Sequence, residues 1–298
     1  MLDEKALRLA EKFCIDEYQD YIIYSYLRDR EGDPKLREIL DKLARDERSH
    51  YEFWKRVSGK DCAESVSKFK LKAIHIMRRM MGLTFTLKWL ERHEEEVIES
   101  YKEFLNRLEG EERRELERII REEEEHENEL LGSIDERLVK YMGFIALGLA
   151  DAIVEVTGVH AGVLGVTSST IYAGVTGLIV GFSAAISMAS AAYIQAKHEV
   201  GRNPLFSAAI TGLSYLVAVV MLALPYFLLH TMIGAFAASV VAGVILVAFF
   251  TYYSAIVSDR EFLREFVETT GLMLATAFGS YLFGEALGQY FGIRVGEV

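Results

Sequence analysis

Two short segments carry residue types that hold metal ions, and they repeat. Glu47-Arg48-Ser49-His50 and Glu123-Glu124-Glu125-His126 each place an acid three residues before a histidine. On a helix that spacing sets both side chains on one face, one turn apart. Each pair has the same forerunner. Glu17 is followed seven residues later by Tyr24, and Glu94 seven residues later by Tyr101. Glu17 precedes Glu47 by 30 residues, and Glu94 precedes Glu123 by 29. The doubled pattern offers four carboxylates and two imidazoles, a donor set that suits iron or manganese. Glu94 is chosen by its tyrosine spacing. Glu95 and Glu96 stand in the same acidic run, and Glu96 is the second choice. A different chemistry is set further along. Asp151 and Glu155 lie one helical turn apart inside an apolar stretch, Tyr141 to Gly165, long enough to cross a bilayer. Ionisable groups in such a place are costly and tend to be functional.

The elements that must position these residues fall into two kinds. The 298-residue chain carries a formal net charge of -11 and is 51% hydrophobic, averages that hide a division. Residues 1–140 are dense in charges of both signs, whereas 141–298 are mostly Ala, Val, Gly, Leu, Ile, Phe and Ser. The predicted domains are therefore 1–138, soluble, and 139–298, in the membrane. The acidic balance suits cations and disfavours nucleic acid as a partner. Four helical stretches are predicted in the first half, at about 2–30, 34–57, 66–108 and from Glu111 onward. Asp33-Pro34 reads as cap and first position of the second, Ser58-Gly59 as its stop, and Gly82 as a bend or split in the long third. Strand signals are absent. Cys14 and Cys62 form no Cys-x-x-Cys, so neither a disulfide framework nor a zinc or rubredoxin-type iron site is expected. The charged, amphipathic N-terminus does not read as a secretion signal, which places the first half on the cytoplasmic side.

Five apolar segments are predicted in the second half, at about 141–165, 170–196, 205–228, 231–257 and 266–291. Lys197 and Arg202 follow the second, and Arg260 and Arg264 follow the fourth. By the positive-inside rule this orientation keeps residues 1–140 in the cytoplasm and the C-terminus outside, with Arg294 dissenting.

The repeat of Glu…Tyr and Glu-x-x-His resembles ferritin-like proteins, rubrerythrin (its erythrin part) most closely, over about residues 5–135. That likeness implies a four-helix bundle with a di-iron site at Glu17, Glu47, His50, Glu94, Glu123 and His126, with Tyr24 and Tyr101 beside it. Manganese is the alternative ion. Asp151, with the Gly-rich IVGFSAAISM of the next segment, resembles the vacuolar iron transporter family over about residues 140–292. There the likeness implies an ion path at a homodimer interface, lined by Asp151 and by Met188 of the Ser187-Met188 pair. Two features depart from that family. Asp151 is followed by Ala152 rather than Gly, and Val180 stands where an acid is usual, a place Glu155 is taken to fill. Together the halves resemble membrane-bound ferritin, an erythrin–iron transporter fusion. The implied protein is all-α, a ferritin-like four-helix bundle followed by a five-helix transmembrane domain. It would be a multi-pass exporter of Fe²⁺ or Mn²⁺ in the cell membrane, with proton exchange and ferroxidase activity as expectations. The competing expectation is a membrane-anchored di-iron oxidase or peroxide reductase.

Overall fold

The computed structural model describes residues 2–125, 137–167, 169–258 and 260–293, with their side chains except at 93–95, 137 and 138. The chain divides into two compact units, Met1–Glu136 and Arg137–Val298. The described residues contain helices and no β-strand.

The first unit is built on two long antiparallel helices, α1 (Glu4–Arg28) and α2 (Pro34–Ser58). Asp3 caps α1 through its carboxylate on the Ala6 amide. Asp33 caps α2, whose first residue is Pro34, and Gly59 ends it in the left-handed conformation at φ 69°. These are the start and stop signals legible in the sequence. The long third helix is divided. Gly82, at φ 92°, separates α3 (Lys68–Met81) from α4 (Leu83–Leu90). A 3₁₀ turn at Glu91–His93 then leads into α5 (Glu94–Phe104). Helix α6 (Gly110–Glu125) completes the described part.

Two apolar clusters hold this unit. One gathers Phe13, Trp54, Tyr101, Phe104, Leu116 and Ile119. The other gathers Ile23, Tyr24, Leu27, Leu40, Leu43 and Leu83. Along α1, Glu17 falls between Phe13 of the first cluster and Ile23 of the second. Along α2, Glu47 falls between Leu43 of the second and Tyr51 of the first. The helical repeat thus sets a polar layer between two apolar ones. The first cluster also contains Cys14 and Cys62, joined as a disulfide with Cα atoms 5.9 Å apart. This overturns the expectation of unlinked cysteines. Packing of the segment after α2 against α1 closes a 48-residue separation that spacing alone does not reveal.

The second unit begins with the short α7 (Arg137–Lys140). Four helices follow that are long and apolar enough to cross a membrane. They are α8 (Met142–Val166), α9 (Thr170–Lys197), α10 (Pro204–Leu228) and α11 (Met232–Ser258). The fifth predicted segment forms α12 (Phe262–Phe291), which is not among the four. It carries Arg264, Glu265 and Glu268 near its start and Glu285 near its end, and these dilute its apolar character. Helix α8 packs against α9, α10, α11 and α12. Its Ala152, Ile153 and Val156 form a core with Tyr215, Leu222 and Met273. Glycines bring the backbones together. A Cβ on Gly284 of α12 would collide with the Gly162 carbonyl of α8, and one on Gly148 of α8 with the Thr211 carbonyl of α10.

Candidate metal centre

Glu17 of α1, Glu47 and His50 of α2, and Glu123 of α6 converge in the polar layer of the first unit. Each offers one ligand atom, and these atoms lie within 4.8 Å of one another. All four residues are buried. His50 Nδ1 stands 2.8 Å from Glu123 Oε1, 3.5 Å from Glu47 Oε2 and 3.6 Å from Glu17 Oε2. The other ring nitrogen, Nε2, faces Glu122 Oε2 at 3.1 Å. Arg118 in turn donates to both oxygens of Glu122, at 2.7 and 2.8 Å. Burial works against the Glu122 carboxylate, but the His50 and Arg118 bonds hold it below its ordinary range. The imidazole is therefore oriented from outside, with Nδ1 turned to the three acids.

Three carboxylates in one buried pocket repel each other. Burial, then Glu123 and Glu17, raise the Glu47 carboxyl well above its ordinary value. For His50, burial opposes the charge, but Glu123, Glu122 and Glu17 outweigh it and raise the imidazole well above its usual value. Such crowding is what a divalent cation relieves. The three carboxylates and the imidazole nitrogen fit iron or manganese, both of which accept mixed oxygen and nitrogen ligands.

Of the two tyrosines, Tyr101 touches one of the four converging residues, and Tyr24 bonds to a different acid. Tyr101 donates to Glu17. Tyr24 donates to Glu91 Oε1 at 3.1 Å. Glu91 is buried at 7% exposure, and the sequence reading passed over it. It lies one turn before Glu94, on the 3₁₀ turn, and faces the interior beside Tyr24. Asp20, one turn after Glu17, was passed over as well. Burial and then Glu17 push its carboxyl well up. A Glu-x-x-Asp spacing at 17–20 was the available signal. Glu94 starts α5, and its side chain lies outside the described residues, as does that of Glu95. Glu96, the second choice, is exposed. His126 lies outside the described residues. Helices α1, α2 and α6 thus deliver four of the six predicted ligands to one point.

In the second unit, Glu155 of α8 accepts a hydrogen bond from the Tyr215 hydroxyl of α10 at 2.5 Å. Asp151, one turn earlier, is exposed on the surface of the unit. Met188 of α9 is half-buried and packs against the core that includes Ala152 and Ile153. Glu155 also borders a groove of about 600 Å³ beside α12, with Thr176, Thr276 and Ser280. His160 is wholly buried in the space left by Gly177, its ring 4.2 Å from that of Tyr226.

Comparison with known protein families matches residues 5–133 to Rubrerythrin. Those residues contain α1, but for its first residue Glu4, through α6, and all four converging ligands. No curated protein and no solved structure matches the chain.

Proposed function

We propose, from a rubrerythrin-like, ferritin-like domain at residues 5–133 joined to four helices able to cross a membrane, that this protein moves iron across the cell membrane. The first unit captures Fe²⁺ from the cytoplasm, and the second exports it. Glu17, Glu47, His50 and Glu123 would hold the metal, with Glu94 and His126 completing a paired site. Resident iron there would supply one-electron redox chemistry, which makes ferroxidase activity part of the proposal. Manganese is the second ion the donor set accepts.

The observation that carries the transport reading is the pair of acids in α8. Glu155 is held by Tyr215, while Asp151 has its carboxylate at the surface of a helix that is otherwise apolar. An anchor has no use for either group, because a charge in the bilayer interior costs about 2.5–3.5 kcal/mol on insertion scales. An ion leaving water needs oxygen ligands to replace its hydration. Two copies of the chain facing each other at α8 and α9 would double the carboxylates and bring in Met188, a softer ligand that Fe²⁺ accepts. Protons could return through the same acids in exchange for metal.

The deciding measurement is iron flux into proteoliposomes at equal protein incorporation. Asp151→Asn keeps the shape and removes the charge. It should abolish flux while the first unit keeps its metal, and Glu155→Gln should act more weakly. Normal flux by Asp151→Asn would leave the second unit an anchor and the protein a membrane-bound di-iron oxidase or peroxide reductase.

A further inference from the structure

The chain has two cysteines, and both are used in one bond. Its position is what sets it apart. Cys14 lies on α1 one turn before Glu17, a rise of about 4.5 Å along the helix axis. Both residues are buried on the face of α1 that meets α2. Cys14 shares its cluster with Phe13, Trp54 and Tyr101. Phe13 and Trp54 pack with tilted rings, centres 4.8 Å apart, Trp54 and Tyr101 likewise with centres 4.9 Å apart, and Tyr101 donates to Glu17. Sulfur, aromatic rings and the metal-binding carboxylate are thus in one continuous packed patch. Cys62 lies in the non-helical link between α2 and α3, at 7% exposure. That link is pinned by Asp61, which accepts from Tyr51 at 2.8 Å and pairs with Lys55 at 2.9 Å.

A staple is an insufficient account of this bond. Disulfides are most needed where a small domain lacks an apolar core, and this unit has two such clusters. On the cytoplasmic side proposed above, disulfides are mostly transient and catalytic. The carboxylates and imidazole of the site can bind a metal but cannot reduce one. Among the described residues of that patch, the groups that readily give up an electron pair are the sulfur of Cys14 and its partner Cys62.

We propose that Cys14 and Cys62 are a reversible dithiol–disulfide couple that supplies electrons to the metal centre, making the first unit a thiol-dependent consumer of peroxide. This rests on the reading of that centre as a redox-active iron site. The balance closes. Two Cys–SH groups form one S–S bond and release two electrons and two protons. Hydrogen peroxide takes up two electrons and two protons as its O–O bond breaks, giving two waters. A small external dithiol restores the couple by attacking Cys62 Sγ. Cys14 leaves as the thiolate and is protonated. The second external thiol then frees Cys62 as the external dithiol becomes a disulfide.

The test uses the full-length protein in detergent. It is reduced with dithiothreitol, freed of excess and prepared metal-free, iron-loaded or zinc-loaded, with bound metal counted in each. One equivalent of hydrogen peroxide is added, free thiols are blocked with a maleimide over time, and the Cys14–Cys62 state is read by mass. The expected result is closure of the bond roughly tenfold or more faster in the iron-loaded protein than in the other two. Cys14→Ser with Cys62→Ser should bind the same amount of iron and lose dithiothreitol-sustained peroxide consumption. Equal closure rates with iron, zinc and no metal would overturn the proposal. So would a bond that dithiothreitol cannot open in the folded protein, or sustained turnover by the double serine variant. A wild-type protein that binds no iron removes the site reading and this proposal together. Iron bound with metal-independent closure removes this proposal alone.

Discussion

His50 is held at both ring nitrogens, and the outer contact is as informative as the inner one. Glu122, itself gripped by Arg118, fixes the ring so that Nδ1 faces Glu123, Glu47 and Glu17. Carboxylates behind a ligating histidine set its tautomer and raise its basicity. Glu122→Ala should therefore weaken metal binding about 10–100-fold while the number of ions bound at saturation is unchanged, measured by titration with Fe²⁺ or Mn²⁺. The double substitution Glu47→Ala with Glu123→Ala should instead lower the stoichiometry itself. The metal-free site also makes a prediction about pH. Glu47 and His50 both titrate well above their ordinary values of 4.5 and 6.5. The folded state then binds more protons than the unfolded state between each ordinary value and its raised one. Its stability falls as pH rises through those windows. The metal-free first unit should melt at a lower temperature at about pH 8 than at about pH 6, and bound metal should remove that loss, because the ion replaces the protons. A metal-free protein whose melting temperature climbs over that range would contradict the crowding described here. At this scale the sequence was legible where spacing repeated: Glu17, Glu47, His50 and Glu123 meet. Glu91 and the Cys14–Cys62 bond were not legible, because both depend on where a non-helical link or turn places a side chain.

The elements show why. A helix of 3.6 residues per turn lets a face be read off the sequence, but a 3₁₀ turn advances by 3.0. Glu91–His93 is such a turn, and it follows the break at Gly82. The phase of the acidic run is thus reset twice before Glu94, which is why the preceding helix could not fix its phase and Glu94 rested on the tyrosine spacing alone. In the second unit the elements were more legible than their partners. All five apolar stretches are helices, four of them long and apolar enough to cross a membrane, and periodicity could not say which of them touch. Glycines decide that. Gly284 of α12 meets the Gly162 carbonyl, and Gly279 on the same helix has open space around it. Gly284→Ala should destabilise the second unit by about 1–3 kcal/mol, read as a lower melting temperature in detergent. Gly279→Ala should leave it unchanged or slightly more stable, by up to about 0.5–1 kcal/mol, since alanine is the better helix former. Equal effects from both would show that α8 and α12 do not touch there.

At the scale of the whole molecule, the outward face of α9 carries Ile171, Val175, Ile179, Phe182 and Ile186, all exposed. Small residues, Ser183, Ser187, Ser190 and Ala191, are exposed alongside it. Such a surface can approach a second helix closely. Single cysteines placed from Ala184 to Ala192, in a background lacking Cys14 and Cys62, should trap disulfide-linked dimers in membranes. Failure at every position along that stretch would count against a homodimer with its ion path between subunits.

The glycine seam between α8 and α12 also bears on how the protein is made. Helix α12 leaves the ribosome after α8 to α11 and is the least apolar of the five. Its partner, α8, emerges before the other three membrane-length helices among the described residues. Until α12 arrives, the bare backbone of Gly158, Gly162 and Gly165 has no protein to cover it. Insertion of α12 is then a docking step onto a waiting groove rather than a partition into oil. A nascent chain stalled before Phe262 should stay in the care of the insertion machinery, and the second unit should acquire its resistance to extraction and proteolysis only once α12 has emerged.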